Sequence, residues 1–177
     1  MPRLTQSERA EFLDAPGILC RIATVRPDGA PTVTPAWFIF RDDQVLVTPR
    51  TMSAWLANVR RDCRVSITID EEAIPYRKVR VEGCIRILYD VGRDDEWRDL
   101  YRQIARRYVD AEAAESYIQQ TIDQPRALLA LDLATANVTT WRMPGASEPY
   151  TGIWHRRYYV SGSKMAGLAE DGDGDAG

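Results

Sequence analysis

The chain has 177 residues, 45% of them hydrophobic and 28% charged, a composition that suits one globular domain with a sizeable core. Its 23 basic and 26 acidic side chains give a net charge of −3, and Glu170, Asp171, Asp173 and Asp175 near the end leave residues 1–169 at +1. That balance argues against a nucleic-acid binder, and no apolar run approaches the roughly 18–20 residues that span a bilayer. With no signal peptide after Met1, the expected location is the cytoplasm.

Three cysteines, Cys20, Cys63 and Cys84, are odd in number and never spaced as CxxC. They predict neither a disulfide framework nor a zinc ribbon. His155 is the only histidine, which excludes HExxH and multi-histidine metal sites. Neither GxGxxG nor GxxxxGK occurs, so no dinucleotide fold or phosphate loop is readable. A bound cofactor, rather than a set of catalytic side chains, is the expected source of any chemistry. The basic residues are 21 Arg and 2 Lys, a bias that a GC-rich codon supply explains as well as phosphate binding does.

In chain order, Thr5-Gln6-Ser7-Glu8 is a capping-box pattern that opens a helix running to Asp14, where Pro16-Gly17 follows. Residues 18–25 read as a strand, 26–30 as a Pro/Gly turn and 31–40 as the return strand. Pro35 inside that strand marks an edge, or a place where a ligand approaches the backbone. A tight turn at Asp42-Asp43 leads to a third strand at 44–48. Residues 52–61 have helical spacing, with Met52, Trp55, Leu56 and Val59 on one face. Strands at 64–70 and 78–89 alternate cleanly. Helices follow at 94–109, with Trp97, Tyr101, Ile104 and Tyr108 on one stripe, and at 112–122. The last strands are 127–133 and 137–142. About six or seven strands, several joined by hairpins, predict a mainly β fold: an antiparallel barrel with helices packed outside. Residues 1–160 are expected to form the domain. Residues 161–177, rich in Gly and Asp, are expected to be a disordered tail.

Three stretches then carry a resemblance. Residues 23–38 (ATVRPDGAPTVTPAWF), residues 53–64 (SAWLANVRRDCR) and residues 77–83 (RKVRVEG) resemble, in order, segments of the pyridoxamine 5′-phosphate oxidase-like flavin-binding split-barrel superfamily. The resemblance covers about residues 15–142. It implies a split barrel, a homodimer, flavin mononucleotide (FMN) or the deazaflavin coenzyme factor 420 in a groove between subunits, and hydride transfer to or from a small organic substrate. Thr34, Pro35, Ala36 and Trp37 match the segment running beside the flavin ring and ribityl chain. Thr48, Arg50 and Ser53 match the phosphate grip, a set of hydroxyls, a guanidinium fork and a helix start suited to an anion. As a bland alternative, Ser53 only caps a helix and Arg50 is solvated. Lys78 falls where many relatives place a Gln beside the ring, or is a surface strand lysine. Trp141 either covers the partner subunit's flavin or packs in the core.

Two departures accompany the resemblance. Trp55 stands where many relatives have a phosphate-binding Lys, so Arg50 must compensate, the ligand differs, or the site is degraded; the indole itself covers a ring face or packs the helix. The C-terminal substrate motif of true pyridoxamine phosphate oxidases is missing, with Trp154-His155-Arg156-Arg157 in its place, so vitamin B6 is not the expected substrate. Tyr76, Trp154 and His155 are the candidates for substrate contact. The competing reading is a non-catalytic split-barrel dimer binding haem or a small metabolite. A nucleic-acid module built on Arg60, Arg61 and Arg64 is disfavoured by the neutral body.

Overall fold

The capping box at the start of the chain forms as its pattern predicts: Glu8 N–H donates to Thr5 Oγ1 (3.2 Å) and Thr5 N–H to the Glu8 carboxylate (2.7 Å). It opens α1 (Gln6–Asp14), whose Phe12 and Leu13 are fully buried. A computed structural model describes residues 2–145. The tail, with Trp154 and His155, lies outside the described residues. After α1 come β1 (Cys20–Val25), β2 (Pro31–Ala36), β3 (Phe38–Arg41), β4 (Gln44–Val47), α2 (Ala54–Arg61), β5 (Arg64–Asp70), β6 (Lys78–Cys84), β7 (Arg86–Tyr89), α3 (Arg98–Arg106), α4 (Ala111–Gln120), β8 (Leu128–Asp132) and β9 (Asn137–Trp141).

The strands form two antiparallel sheets, β2-β1-β5-β6-β9 and β3-β4-β8-β7, and no ladder among the described residues joins them into a closed barrel. The sheets share a core. Ile22, Ile67, Ile69, Val79 and Val81 from the first meet Phe38, Val45, Val47, Leu129 and Leu131 from the second. The middle strands of the second sheet are buried on both faces, with Leu46, Leu128 and Ala130, together with Ile39 of β3, packing under Trp97, Tyr101, Ile104 and Ile118, while β7 at its edge is largely exposed. β4 and β8 therefore read as continuous apolar runs, whereas β5 and β6 alternate.

That difference explains the first correction. The expected strands 31–40 and 78–89 are each two strands, broken at Trp37 and at Ile85, where the chain leaves one sheet and enters the other. Met52 is also not on the core face. It lies in the turn before α2 and is 90% exposed, because the helix starts two residues later. The long helix expected from residue 94 is shorter, with turns before Arg98. The cysteine expectation is corrected as well: Cys63 and Cys84 form a disulfide. Register is the reason, since β5–β6 pairing sets Arg64 opposite Cys84 and so brings Cys63 beside it. Sequence spacing alone could not show this. Cys20 remains a free, buried thiol, which burial pushes up to about 12.

Candidate cofactor pocket

The crossing at Trp37 and the segment from β4 into α2 lie side by side, and between them opens a cavity of about 470 Å³. Small-molecule sites typically measure roughly 300–1,000 Å³. Thr34, Pro35, Ala36, Trp37, Thr48, Arg50, Ser53 and Trp55 all line it, so both expected segments meet at one place. β2 has a neighbour only on its β1 side, which is where a strand tolerates a proline such as Pro35. Trp37 is held from behind by Tyr108, with ring centroids 5.0 Å apart and planes 3° apart. The Tyr108 hydroxyl accepts from Phe38 N–H (3.0 Å) and donates to the Ile18 carbonyl (2.9 Å). Ser53 is the N-cap residue of α2, yet its side chain makes no capping bond; Ser53 Oγ donates to the Arg50 carbonyl instead (2.6 Å). Trp55 is 7% exposed and packs in the shared core as well as lining the cavity.

Pro49, Tyr101, Tyr117 and Arg126 complete the wall, and sequence reasoning did not place them here. Tyr101 sits on the apolar stripe of α3 and reads as core. Tyr117 comes from α4, a helix that carries no motif. The signal at Arg126 was a lone arginine opening the apolar run 127–131; a charge in that position needs a reason to be buried. Arg126 is 7% exposed. Its guanidinium donates to the Thr48 carbonyl (3.2 Å) and to Tyr117 Oη (3.1 Å), and lies 4.5 Å from the centre of the Tyr101 ring. Arg50 donates to the same phenol oxygen at 2.8 Å.

Burial works to raise the Tyr117 phenol, but the Arg126 charge, the hydroxyl of Tyr101 beside it and the guanidinium hydrogen bonds outweigh it and hold the group below its usual value. Burial raises its neighbour Tyr101. No carboxylate lines the cavity, and no cluster of potential metal ligands occurs among the described residues. What the walls offer is an anion site at one end, aromatic rings, and strand backbone along the other side.

Three expected residues lie elsewhere. Lys78 and Trp141 are cross-strand partners on β6 and β9, with Lys78 Nζ 4.6 Å from the centre of the Trp141 ring. Tyr76 is in the loop before β6, 43% exposed. The arginines considered for nucleic acid are engaged within the chain: Arg60 with Asp90, Arg64 with Asp62, and Arg61 with Asn58 and the Val25 carbonyl.

No curated protein matches the sequence. Among solved structures, a conserved hypothetical protein (Rv2991) from Mycobacterium tuberculosis is similar at 21% identity and TM-score 0.64, covering 82% of this chain and 92% of that one. An F420 reductase has 21% identity and TM-score 0.53, covering 77% and 98%. An FAD- and haem-binding protein from Mycobacterium smegmatis has 20% identity and TM-score 0.59, covering 80% and 72%. At these identities the likeness shows the fold. The sequence profile of the pyridoxamine 5′-phosphate oxidase family matches residues 6–140.

Proposed function

We propose that this chain, which belongs to the pyridoxamine 5′-phosphate oxidase family, is an oxidoreductase that holds a flavin-type cofactor, FMN or the deazaflavin factor 420, in the Trp37–Arg50 pocket. The observation that carries the reading is the wall itself: two guanidiniums with no carboxylate beside them, next to aromatic rings and an edge strand. A phosphorylated tricyclic cofactor has the matching parts, an anion at one end and a flat apolar ring at the other. When bound, it would supply hydride or electron transfer. This chain's residues would do the rest. Arg50 and Arg126 would hold the phosphate, Thr34 to Trp37 would lie beside the ring and ribityl chain, and Trp55 would close the apolar side. The substrate would be a small organic molecule.

The same reading includes a homodimer in which the two sheets form the halves of a split barrel and a second copy covers the β2 edge. Lys78 and Trp141 are at or beside the opposite edge of the five-stranded sheet, so they would reach a cofactor only from the other copy. The second reading, a non-catalytic dimer binding haem or a small metabolite, draws on the FAD- and haem-binding relative. Against it, the described residues include no histidine, and their free thiol, Cys20, is buried and does not line the pocket.

Absorption spectra of the purified protein, taken after addition of FMN, factor 420 or haem and removal of unbound ligand, test the choice. Retention of a flavin-type chromophore with a shifted visible band is the expected result. Retention of haem alone would replace this reading with the second one.

A further inference from the structure

The Cys63–Cys84 disulfide joins the end of α2 to the point where the chain leaves the first sheet for the second. Its two sulfurs come from different surroundings. Cys84, the last residue of β6, is exposed, whereas Cys63 is half-buried. Backbone pairing already holds the same two segments together. β5 and β6 pair over seven residues, from Arg64 opposite Cys84 to Asp70 opposite Lys78, and Ile85 N–H donates to the Cys63 carbonyl (2.8 Å). Val65, Ile67, Val79, Val81 and Ile85 of these segments are buried in the core that the two sheets share. None of these contacts depends on the sulfur–sulfur bond. Its contribution to stability lies instead in the unfolded chain, where it closes a loop over a separation of 21 residues and removes entropy.

We propose that this disulfide is a site of reversible thiol exchange, opened by an external dithiol while the domain stays folded, so that the surrounding thiol balance sets the domain's stability. An exposed disulfide is the labile kind, because a thiolate must reach a sulfur in order to attack it. The dithiol's thiolate attacks Cys84 Sγ and forms a mixed disulfide there. The Cys63–Cys84 bond breaks, and its electron pair leaves on Cys63 Sγ, which takes a proton from water. The reagent's second thiol then attacks the reagent's own sulfur in the mixed disulfide and releases Cys84 as a thiol. Two electrons and two protons pass to the cysteine pair, and the dithiol is oxidised to a disulfide. Cys20 takes no part: it is fully buried, and burial pushes its thiol up to about 12, so it has neither access nor thiolate. The proposal does not rest on the cofactor reading, since neither Cys63 nor Cys84 lines that pocket.

The test is alkylation of the full chain by iodoacetamide without denaturant, read by mass spectrometry. After treatment with glutathione disulfide the chain should take no label. After dithiothreitol it should take two, at Cys63 and Cys84, with Cys20 labelled only once the chain is unfolded. The reduced chain should keep its circular dichroism spectrum and melt roughly 5–12 °C lower. Removing the dithiol and adding glutathione disulfide should restore both the bond and the melting temperature. The double variant Cys63→Ser/Cys84→Ser should melt with the reduced chain and ignore the dithiol. No label at millimolar dithiothreitol would make the bond an inaccessible structural link and overturn the proposal. Loss of the native spectrum on reduction, or failure of the bond to re-form, would overturn it as well. If the double variant does not fold, the labelled and reduced wild type decides.

Discussion

Arg50 with Arg126, and Lys78 with Trp141, are two cationic regions built in opposite ways. At the first, two guanidiniums are forced face to face by main-chain pairing and share one phenol. At the second, a lysine rests on an indole across a β-ladder and is satisfied within its own chain. β6 and β9 lie three and four strands along the sheet from β2, and neither Lys78 nor Trp141 lines the cavity. In the proposed reading one chain supplies both cations of the anion anchor, while the cation expected beside the ring does not line the same pocket. In the proposed dimer, the anchor belongs to one copy and the ring-side cation to the other.

Breaking the anchor should have the largest effect. Arg50→Ala removes a charge-assisted contact worth roughly 1.5–3 kcal/mol, so FMN affinity should fall about 10- to 150-fold with riboflavin unchanged, as read by titration at fixed salt. Equal losses for both ligands would make Arg50 structural. Trp55→Lys sharpens the comparison from the other side: it restores the family's usual cation, and FMN should bind several-fold tighter while riboflavin does not. At the second region, Lys78→Ala should cost only a few-fold, in line with about 0.5–1 kcal/mol for an exposed cation–π contact. The loss should be equal for FMN and riboflavin, because no phosphate is involved.

The smallest effect concerns the helix pair that presents Tyr101 and Tyr117. Arg102 of α3 holds Glu115 of α4 (2.7 Å) and lowers its carboxyl from 4.5 to about 2. A depressed folded-state pKa means that the stabilisation is present above the ordinary carboxylate value and lost as pH falls through the folded one. Glu115→Gln should therefore lower the melting temperature slightly at pH 7. The difference from wild type should shrink between about pH 4.5 and 2. A difference that stays constant across that range would assign the effect to something other than this ion pair.

Local chemistry was legible from the sequence alone: the Thr5/Glu8 capping box, the tight turn at Asp42-Asp43, where both residues have positive φ, and the Pro35 edge strand. Eight of the expected cofactor-binding residues also meet in one cavity, because they come from two short segments that the fold brings together. What stayed hidden depends on pairing between distant segments. The breaks at Trp37 and Ile85 reflect a change of sheet, which hydrophobic alternation does not record. The Cys63–Cys84 bond follows from β5–β6 register. Arg126 enters the pocket only because residues 125–127 lie against residues 49–51, a contact over 76 positions of sequence that no motif announces.

A crystal structure of the protein with FMN bound tests the central claim most directly. The account predicts the phosphate between Arg50 and Arg126, within hydrogen-bonding distance of both guanidiniums and of Tyr117, with the ring running along Thr34 to Trp37. A phosphate seated beside Lys78, or an Arg50–Tyr117–Arg126 cluster unchanged and untouched by the ligand, would contradict it.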